Sequence, residues 1–311
     1  MGRRLLAAIL LAVLAVGAGL LAFGPPRLGS APDLVWGEHG GTRDGCFSRP
    51  RAAAIDPQDR LFIVDFTARI QVFDLDGHHL GVTWTTPDFR NGRPSGLGID
   101  NDGHLIVSDS HYHCVRIYSA DGKELKKLGG QAGHEPGQWG YVSDCVQDKD
   151  GNYYVSEFGE NDRITKLDRD GKFVACWGEP GQGPGQFNRV RALALSPDGT
   201  LLYLADACNH RIQVLDLDGH FVRQFGEPGD GPGQLRYPYD LAFGPSGDLY
   251  VVERGNNRVQ KFTADGQPLG TWGGPGKGPG QLADPWAVVV DRHGRVHVID
   301  TENHRVQRVR F

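Results

Sequence analysis

Seven side chains of this sequence suggest a place where a ligand could be held: Arg51, Asp144, Arg191, Tyr239, Asp240, Arg254 and Trp286. Guanidinium groups pair with anions, carboxylates with cations, and aromatic rings with apolar or cationic groups. As a set they suit a polar ligand with an apolar part. Asp144 and Asp240 are the candidates for a metal, Ca²⁺ through oxygen ligands or Zn²⁺. The plainer account of these two carboxylates is pairing with neighbouring arginines or channel water. No catalytic residue stands out beside them, and the expected cofactor is none.

The seven were singled out by a repeat. From Val190 to Leu235 the chain reads as four short strands, ALALS, LLYLAD, RIQVLDL and FVRQFG, separated by turn residues and followed by a Gly/Pro connection. The start of the first strand recurs at Pro50, Pro94, Val142, Val190, Pro238 and Pro285. An acid ends the second strand at Asp65, Asp109, Glu157, Asp206, Glu253 and Asp300, and an Asp-Gly turn precedes the fourth at Asp76, Asp121, Asp170, Asp218 and Asp265. A period in the forties with four strands per unit predicts radial repetition, because one sheet alone leaves both faces bare. The fold class is all-β, a six-bladed β-propeller of four-stranded antiparallel blades. The sixth unit reaches Phe311 after only three strands, and Leu34–Gly37 (LVWG) matches the fourth strands ending ACWG, RQFG and GTWG. This N-terminal strand is expected to complete the last blade and close the ring, which removes the open edges.

The repeats NHRIQV at Asn209, NNRVQK at Asn256 and NHRVQR at Asn303, with an upstream acid and a downstream GPGQ, resemble NHL repeats over Leu34 to Phe311. That family's propellers include RNA-binding domains, sensor-kinase ectodomains, protein-interaction platforms and an amidating lyase. The resemblance implies a module that binds a protein, peptide or glycan ligand through its loop-rich channel face. The alternative it implies is a metal-assisted lyase or hydrolase, like the amidating lyases or the six-bladed lactonases, with its site at the channel mouth. Those enzymes centre on a metal held by inner-strand His or by Glu, Asn or Asp. Here the inner strands carry no His, only Asp144 and Asp240.

Positions that the repeats share read as architecture, and positions where they differ read as function. The recurring pairs Asp206 with Arg211, Glu253 with Arg258, Asp300 with Arg305 and Glu157 with Arg163 are expected to pin each corner by charge-assisted hydrogen bonds. His113, His210 and His304 could be drawn as a three-histidine metal site, yet they occupy an ordinary corner position. The GPGQ connections lack the strand-loop-helix context and the GKS or GKT of a phosphate cradle. By contrast, the residue after each strand start runs Arg51, Ser95, Ser143, Arg191, Tyr239, Trp286, and the next runs Ala52, Gly96, Asp144, Ala192, Asp240, Ala287. The residue after the second-strand acid runs Phe66, Ser110, Phe158, Ala207, Arg254, Thr301.

The 311 residues divide into a signal anchor or signal peptide (1–23), a Pro/Gly/Ser linker (24–33) and the propeller (34–311). Arg3 and Arg4 precede an uncharged, mostly apolar run from Leu5 to Phe23, close to the length that spans hydrocarbon. The anchor is favoured, giving a membrane-anchored, extracytoplasmic propeller; cleavage would leave it secreted or periplasmic. Without Arg3, Arg4 and Arg27 the chain has 30 basic against 38 acidic side chains, a balance that disfavours nucleic acid as a partner. Five cysteines dispersed along the chain without a CxxC make neither a zinc knuckle nor a closed disulfide set; Cys114 with Cys145 is the one conceivable bridge.

Overall fold

A computed structural model describes residues 31–87, 93–159 and 161–311. The expected signal segment, 1–23, and linker residues 24–30 lie outside the described residues. Among those described, no helix is long and apolar enough to cross a membrane.

Six four-stranded antiparallel sheets form, each in simple up-and-down order. Blade 4, for example, comprises Val190–Leu195, Leu201–Asp206, Arg211–Asp216 and Phe221–Phe225. The six first strands form an inner layer in which each contacts the next, and the last, Ala287–Val290, contacts the first, Pro50–Ile55. Second and third strands are buried on both faces, as in Leu61–Asp65 and Arg69–Phe73, because a neighbouring blade covers each side. Fourth strands lie at the rim and alternate between half-buried and exposed, as in Phe173–Trp177. The apolar core is accordingly divided among clusters, most of which join adjacent blades, such as Tyr203, Ile212, Leu241, Val251 and Phe262 between blades 4 and 5.

Ring closure follows the sequence expectation. Leu34, Val35 and Trp36 pair antiparallel with Arg308, Gln307 and Val306. The closing strand also fills a packing role that recurs around the ring, in which a rim aromatic presses on the Asp-Gly turn of the next blade. Trp36 lies on Gly77, Trp84 on Gly122, Trp177 on Gly219 and Phe225 on Gly266, so close that a Cβ on any of these glycines would stand 2.3 to 2.7 Å from ring carbon. Each of these glycines also has φ between +83° and +88°, so the turn requires glycine twice over. Arg308 adds charge to the seam by reaching Asp33 at 2.8 Å and Asp76 at 2.7 Å.

Two details differ from the sequence reading. The inner strand of blade 6 begins at Ala287, two residues after Pro285, and that of blade 3 begins at Tyr141, one residue before Val142. All five cysteines are free thiols, so Cys114 and Cys145 are not bridged. Cys145 instead packs among Ile106, Val115 and Val142 as a small core residue.

Because Trp36 staples the two chain ends, replacing it by Ala is expected to cost about 3 kcal/mol. Urea unfolding of wild type and Trp36→Ala measures the loss; an unchanged midpoint would show that the ring does not depend on this strand.

Candidate functional site

The loops around the channel are fixed from below by a buried acid. In blade 4, Asp206 Oδ2 accepts hydrogen bonds from Arg211 Nε at 2.8 Å, Asn209 Nδ2 at 2.9 Å and Gln213 Nε2 at 3.1 Å, while Oδ1 accepts the Asn188 N–H at 2.8 Å. Arg211 then donates to the carbonyls of Gln182, Gly183 and Gln186, which ties the Gly/Pro connection to the corner. Glu253 with Asn256, Arg258 and Gln260, and Asp300 with Asn303, Arg305 and Gln307, repeat the arrangement. The shared Asp/Glu–Arg pairs are therefore architectural, as their repetition implied. Blade 2 departs from it. Cys114 replaces the arginine, Arg116 reaches Asp109 from two residues further on at 3.1 Å, and burial raises the Asp109 carboxyl above its ordinary pKa.

The corner histidines latch blades 2, 4 and 6 to the next, and Asp162 and Asn257 do so in blades 3 and 5. His210 and His304, both in the left-handed conformation, accept through Nδ1 the backbone N–H of Tyr237 and of Arg49 at 3.0 Å. His113 Nδ1 instead bonds the Gly140 carbonyl at 2.7 Å, which makes that nitrogen the donor. The three rings thus face three different seams and compose no shared metal group. Among the described residues the one group of three with metal-ligand spacing is Asp100, Asp102 and His104, in a turn at the opposite end of blade 2. There Asp100 Oδ1 already accepts the N–H groups of Asp102 and His104, the ordinary geometry of a side-chain-closed turn.

These latches bring each corner against the loop leading into the next inner strand, and there the ladder breaks in the same place in five blades. Pairing shifts register between Pro50 and Ala52, Pro94 and Gly96, Val142 and Asp144, Val190 and Leu193, and Pro238 and Asp240. A bulge leaves its extra residue unpaired and re-aims the side chain. The residues at these bulges are Arg51, Ser95, Ser143, Arg191 and Tyr239, with Trp286 at the equivalent place in blade 6. Ser95 and Ser143 turn back as straps, donating to the carbonyls of Val142 and Val190 in the next blade. The other four project into the channel.

Six of the seven residues singled out from the sequence, Arg51, Asp144, Arg191, Tyr239, Asp240 and Trp286, line one cavity at the channel mouth. The seventh, Arg254, stands on its rim, donating to the Tyr239 hydroxyl at 3.1 Å and pairing with Asp284. The enclosed space is about 20 Å³, room for one or two waters. Asp144 and Asp240 sit in it as braces between blades. Asp144 Oδ2 accepts the Leu193 N–H, and Asp240 accepts those of Leu241 and Val288, all at 2.9 Å. No third carboxylate, His or Cys joins them in a metal-spaced group among the described residues. Gly96 is small because Asp144 lies over it, 2.4 Å from where a Cβ would be.

The sequence reading passed over the residue just before each strand start, which supplies Arg49, Arg93 and Arg189. That position also varies between repeats, the signal that marked its neighbours. Arg49 and Arg93 lie 5.0 and 3.5 Å from the Phe66 ring, and Arg189 lies 5.0 Å from Phe158. Positive charge therefore accumulates. Burial, and then repulsion by Arg191, Arg93 and Arg49, lowers the Arg51 pKa to about 9, and burial lowers that of Arg191. Burial also pushes Asp144 up to about 8, helped by the nearby Asp240, and Asp240 up to about 7.

Three segments of the chain, residues 91–118, 235–262 and 282–309, match the NHL repeat. No curated protein sequence matches the chain. Among solved structures, a streptogramin B lyase is similar with a TM-score of 0.61 at 16% identity, over 84% of this chain and 93% of that one. Virginiamycin B lyase from Staphylococcus aureus gives 0.57 at 16% identity, over 85% of each chain. Kuenenia stuttgartiensis hydrazine synthase gives 0.60 at 14% identity, over 84% of this chain and 83% of that one. At such identities the likeness is one of fold.

A carboxyl whose pKa is higher folded than unfolded lends stability that is complete below its unfolded value near 4 and is withdrawn as pH rises through its folded value. For Asp144 that window closes near pH 8. Between pH 6 and pH 9, Asp144→Asn is expected to gain about 2 kcal/mol on wild type. Urea unfolding at the two pH values checks this; a constant difference would mean that the carboxyl is already charged at pH 6.

Proposed function

We propose that this NHL-repeat six-bladed β-propeller is a binding module, held outside the cytoplasm by its N-terminal segment, that takes a protein or peptide chain at the channel mouth. The observation that carries the reading is the division of labour in the repeats. Shared positions close corners and latch seams, while the unshared ones converge on a single concavity lined by arginines, aromatic rings and two braced carboxylates. Loop residues gathered on a rigid scaffold are where recognition is expected, and Arg, Tyr and Trp are the side chains that anchor interfaces. The extracytoplasmic placement rests on Arg3, Arg4 and the apolar run after them. A glycan would meet the same polar and aromatic groups and is an alternative ligand of the module.

A second reading, a metal-assisted lyase or hydrolase, draws support from two carboxyls poised near neutrality in the channel and from the lyases among the structural neighbours. What weighs against it is the commitment of both carboxylates to backbone N–H groups.

A random peptide library displayed against the purified full-length chain separates the readings. The binding module is expected to enrich peptides that compete with one another and lose at least tenfold in affinity on Trp286→Ala. Failure to enrich any peptide, together with an equimolar metal lost on Asp144→Ala, would replace it with the enzyme.

A further inference from the structure

The two deepest arginines of the mouth lack what buried arginines almost always have. Arg191 is 5% exposed, and its Nε is buried with no hydrogen-bond partner among the described residues; the same holds for Arg51 Nε and, at the rim, Arg93 Nε. The nearest carboxylates do not fill the role. Asp144 and Asp240 are close enough to act on Arg191 through their charge, but they form no ion pair with it and accept from backbone N–H instead. What surrounds the two cations is aromatic. The Arg191 guanidinium carbon lies 4.8 Å from the centre of the Tyr239 ring and 5.3 Å from that of Trp286, and Arg51 lies 4.3 Å from Trp286. Rings attract a cation but offer no lone pair to its N–H groups.

Arg69 and Arg223 also leave a buried Nε unpaired, but both donate through their terminal nitrogens, Arg69 to the carbonyls of Arg43 and Cys46 and Arg223 to the Tyr203 hydroxyl and the Ala264 carbonyl. The corner arginines Arg211, Arg258 and Arg305 each hold a buried carboxylate and at least two carbonyls. An arginine kept in a buried place without an acceptor costs stability in the free protein, and a second one beside it adds repulsion. Nothing in the fold requires the cost, since blades 2 and 3 put serine at the equivalent bulge. The missing component is an acceptor that arrives with the ligand.

We infer that Arg51 and Arg191 form a subsite for a carboxylate group, received between them and flanked by the Trp286 and Tyr239 rings, which pack against the apolar part of the same ligand. This rests on the reading of the mouth as a binding site and names the chemistry it selects. A guanidinium fork matches a carboxylate in two parallel N–H···O bonds. The cavity, with space for one or two waters, fits such a head group displacing them and leaves the body of the ligand at the rim.

The test uses benzoate, a ring bearing one carboxylate, and benzamide, its neutral counterpart of the same shape, titrated calorimetrically into the full-length chain. Benzoate is expected to saturate one site, with benzamide binding at least tenfold more weakly. This comparison in the unaltered protein is independent of whether any variant folds. Arg191→Gln is expected to abolish the preference while leaving the melting temperature equal to or above that of wild type, because it removes an unpaired buried charge. An arginine kept for structure would do the opposite, and a lower melting temperature with the benzoate preference intact would overturn the assignment. So would equal binding of the two probes, or no benzoate binding. If either of these came with peptides that still depend on Trp286, the subsite would fall while the binding module stood; if it came without them, both would fall.

Discussion

The structure depends on a buried acid at the end of every second strand. Asp65, Asp109, Glu157, Asp206, Glu253 and Asp300 are each at most 1% exposed, and none could remain charged there without donors. In the regular blades the donors are the repeat's own Asn, Arg and Gln or Thr, together with a backbone N–H of the incoming connection. That network turns the corner and holds the connection in one move, so it decides where the next inner strand begins. A hydrophobic core alone would pack six twisted sheets side by side without specifying their angular register. The polar corner, satisfied on every lone pair that matters, specifies it. Blade 2 shows what the arginine supplies: where a cysteine takes its place, Arg116 bonds one oxygen of Asp109 and the other keeps no partner.

Once the corners are set, the channel mouth follows from backbone geometry. The bulge at the start of the inner strand recurs because the chain must bend from a connection running over the top of the ring into a strand running down its axis. Left-handed residues at Arg49, Arg189, Tyr237 and Asp284 make that bend, and the latch from the previous blade holds them in a conformation that non-glycine residues seldom adopt. Two residues on, Arg51, Arg191, Tyr239 and Trp286 enter the channel, while Ser95 and Ser143 at the same position bond the next blade. The residue at that position is free to vary, because no shared hydrogen bond depends on it. A scaffold repeated six times thereby presents six independent choices at one place.

This explains how much was legible in the sequence. Period, blade count and closure by Leu34–Trp36 were readable because they rest on turn glycines, strand alternation and the likeness of LVWG to ACWG, RQFG and GTWG, all local signals repeated several times. The convergence of Arg51, Asp144, Arg191, Tyr239, Asp240 and Trp286 was readable for the same reason, since equal register in equal blades means equal depth in the channel. What the sequence did not disclose was the orientation of atoms. Nothing in the pattern says that Asp144 and Asp240 turn their oxygens to the neighbouring blade's N–H groups, or that the corner histidines latch seams through Nδ1. Arg49, Arg93 and Arg189 escaped notice because they precede the strand, where residues are ordinarily read as loop, although the left-handed bend makes Arg49 and Arg189 part of the mouth.

The charge of the whole chain and the charge of its mouth have opposite signs, and this bears on how selection works. With a net charge of −5, the body of the protein repels anions at long range. At physiological ionic strength that repulsion is screened over roughly 8 Å, whereas the arginines in the throat lie in a partly dehydrated place where screening by salt is weak. An approaching ligand is therefore not steered from afar by its negative charge; it is retained only if it places an acceptor where the buried N–H groups can reach it. Such a site discriminates by desolvated geometry and not by charge density, which favours a ligand with a single well-placed anionic group over a polyanion. Nucleic acid, whose affinity is gathered from many phosphates spread along a surface, meets here one narrow cluster of arginines on a chain of net charge −5.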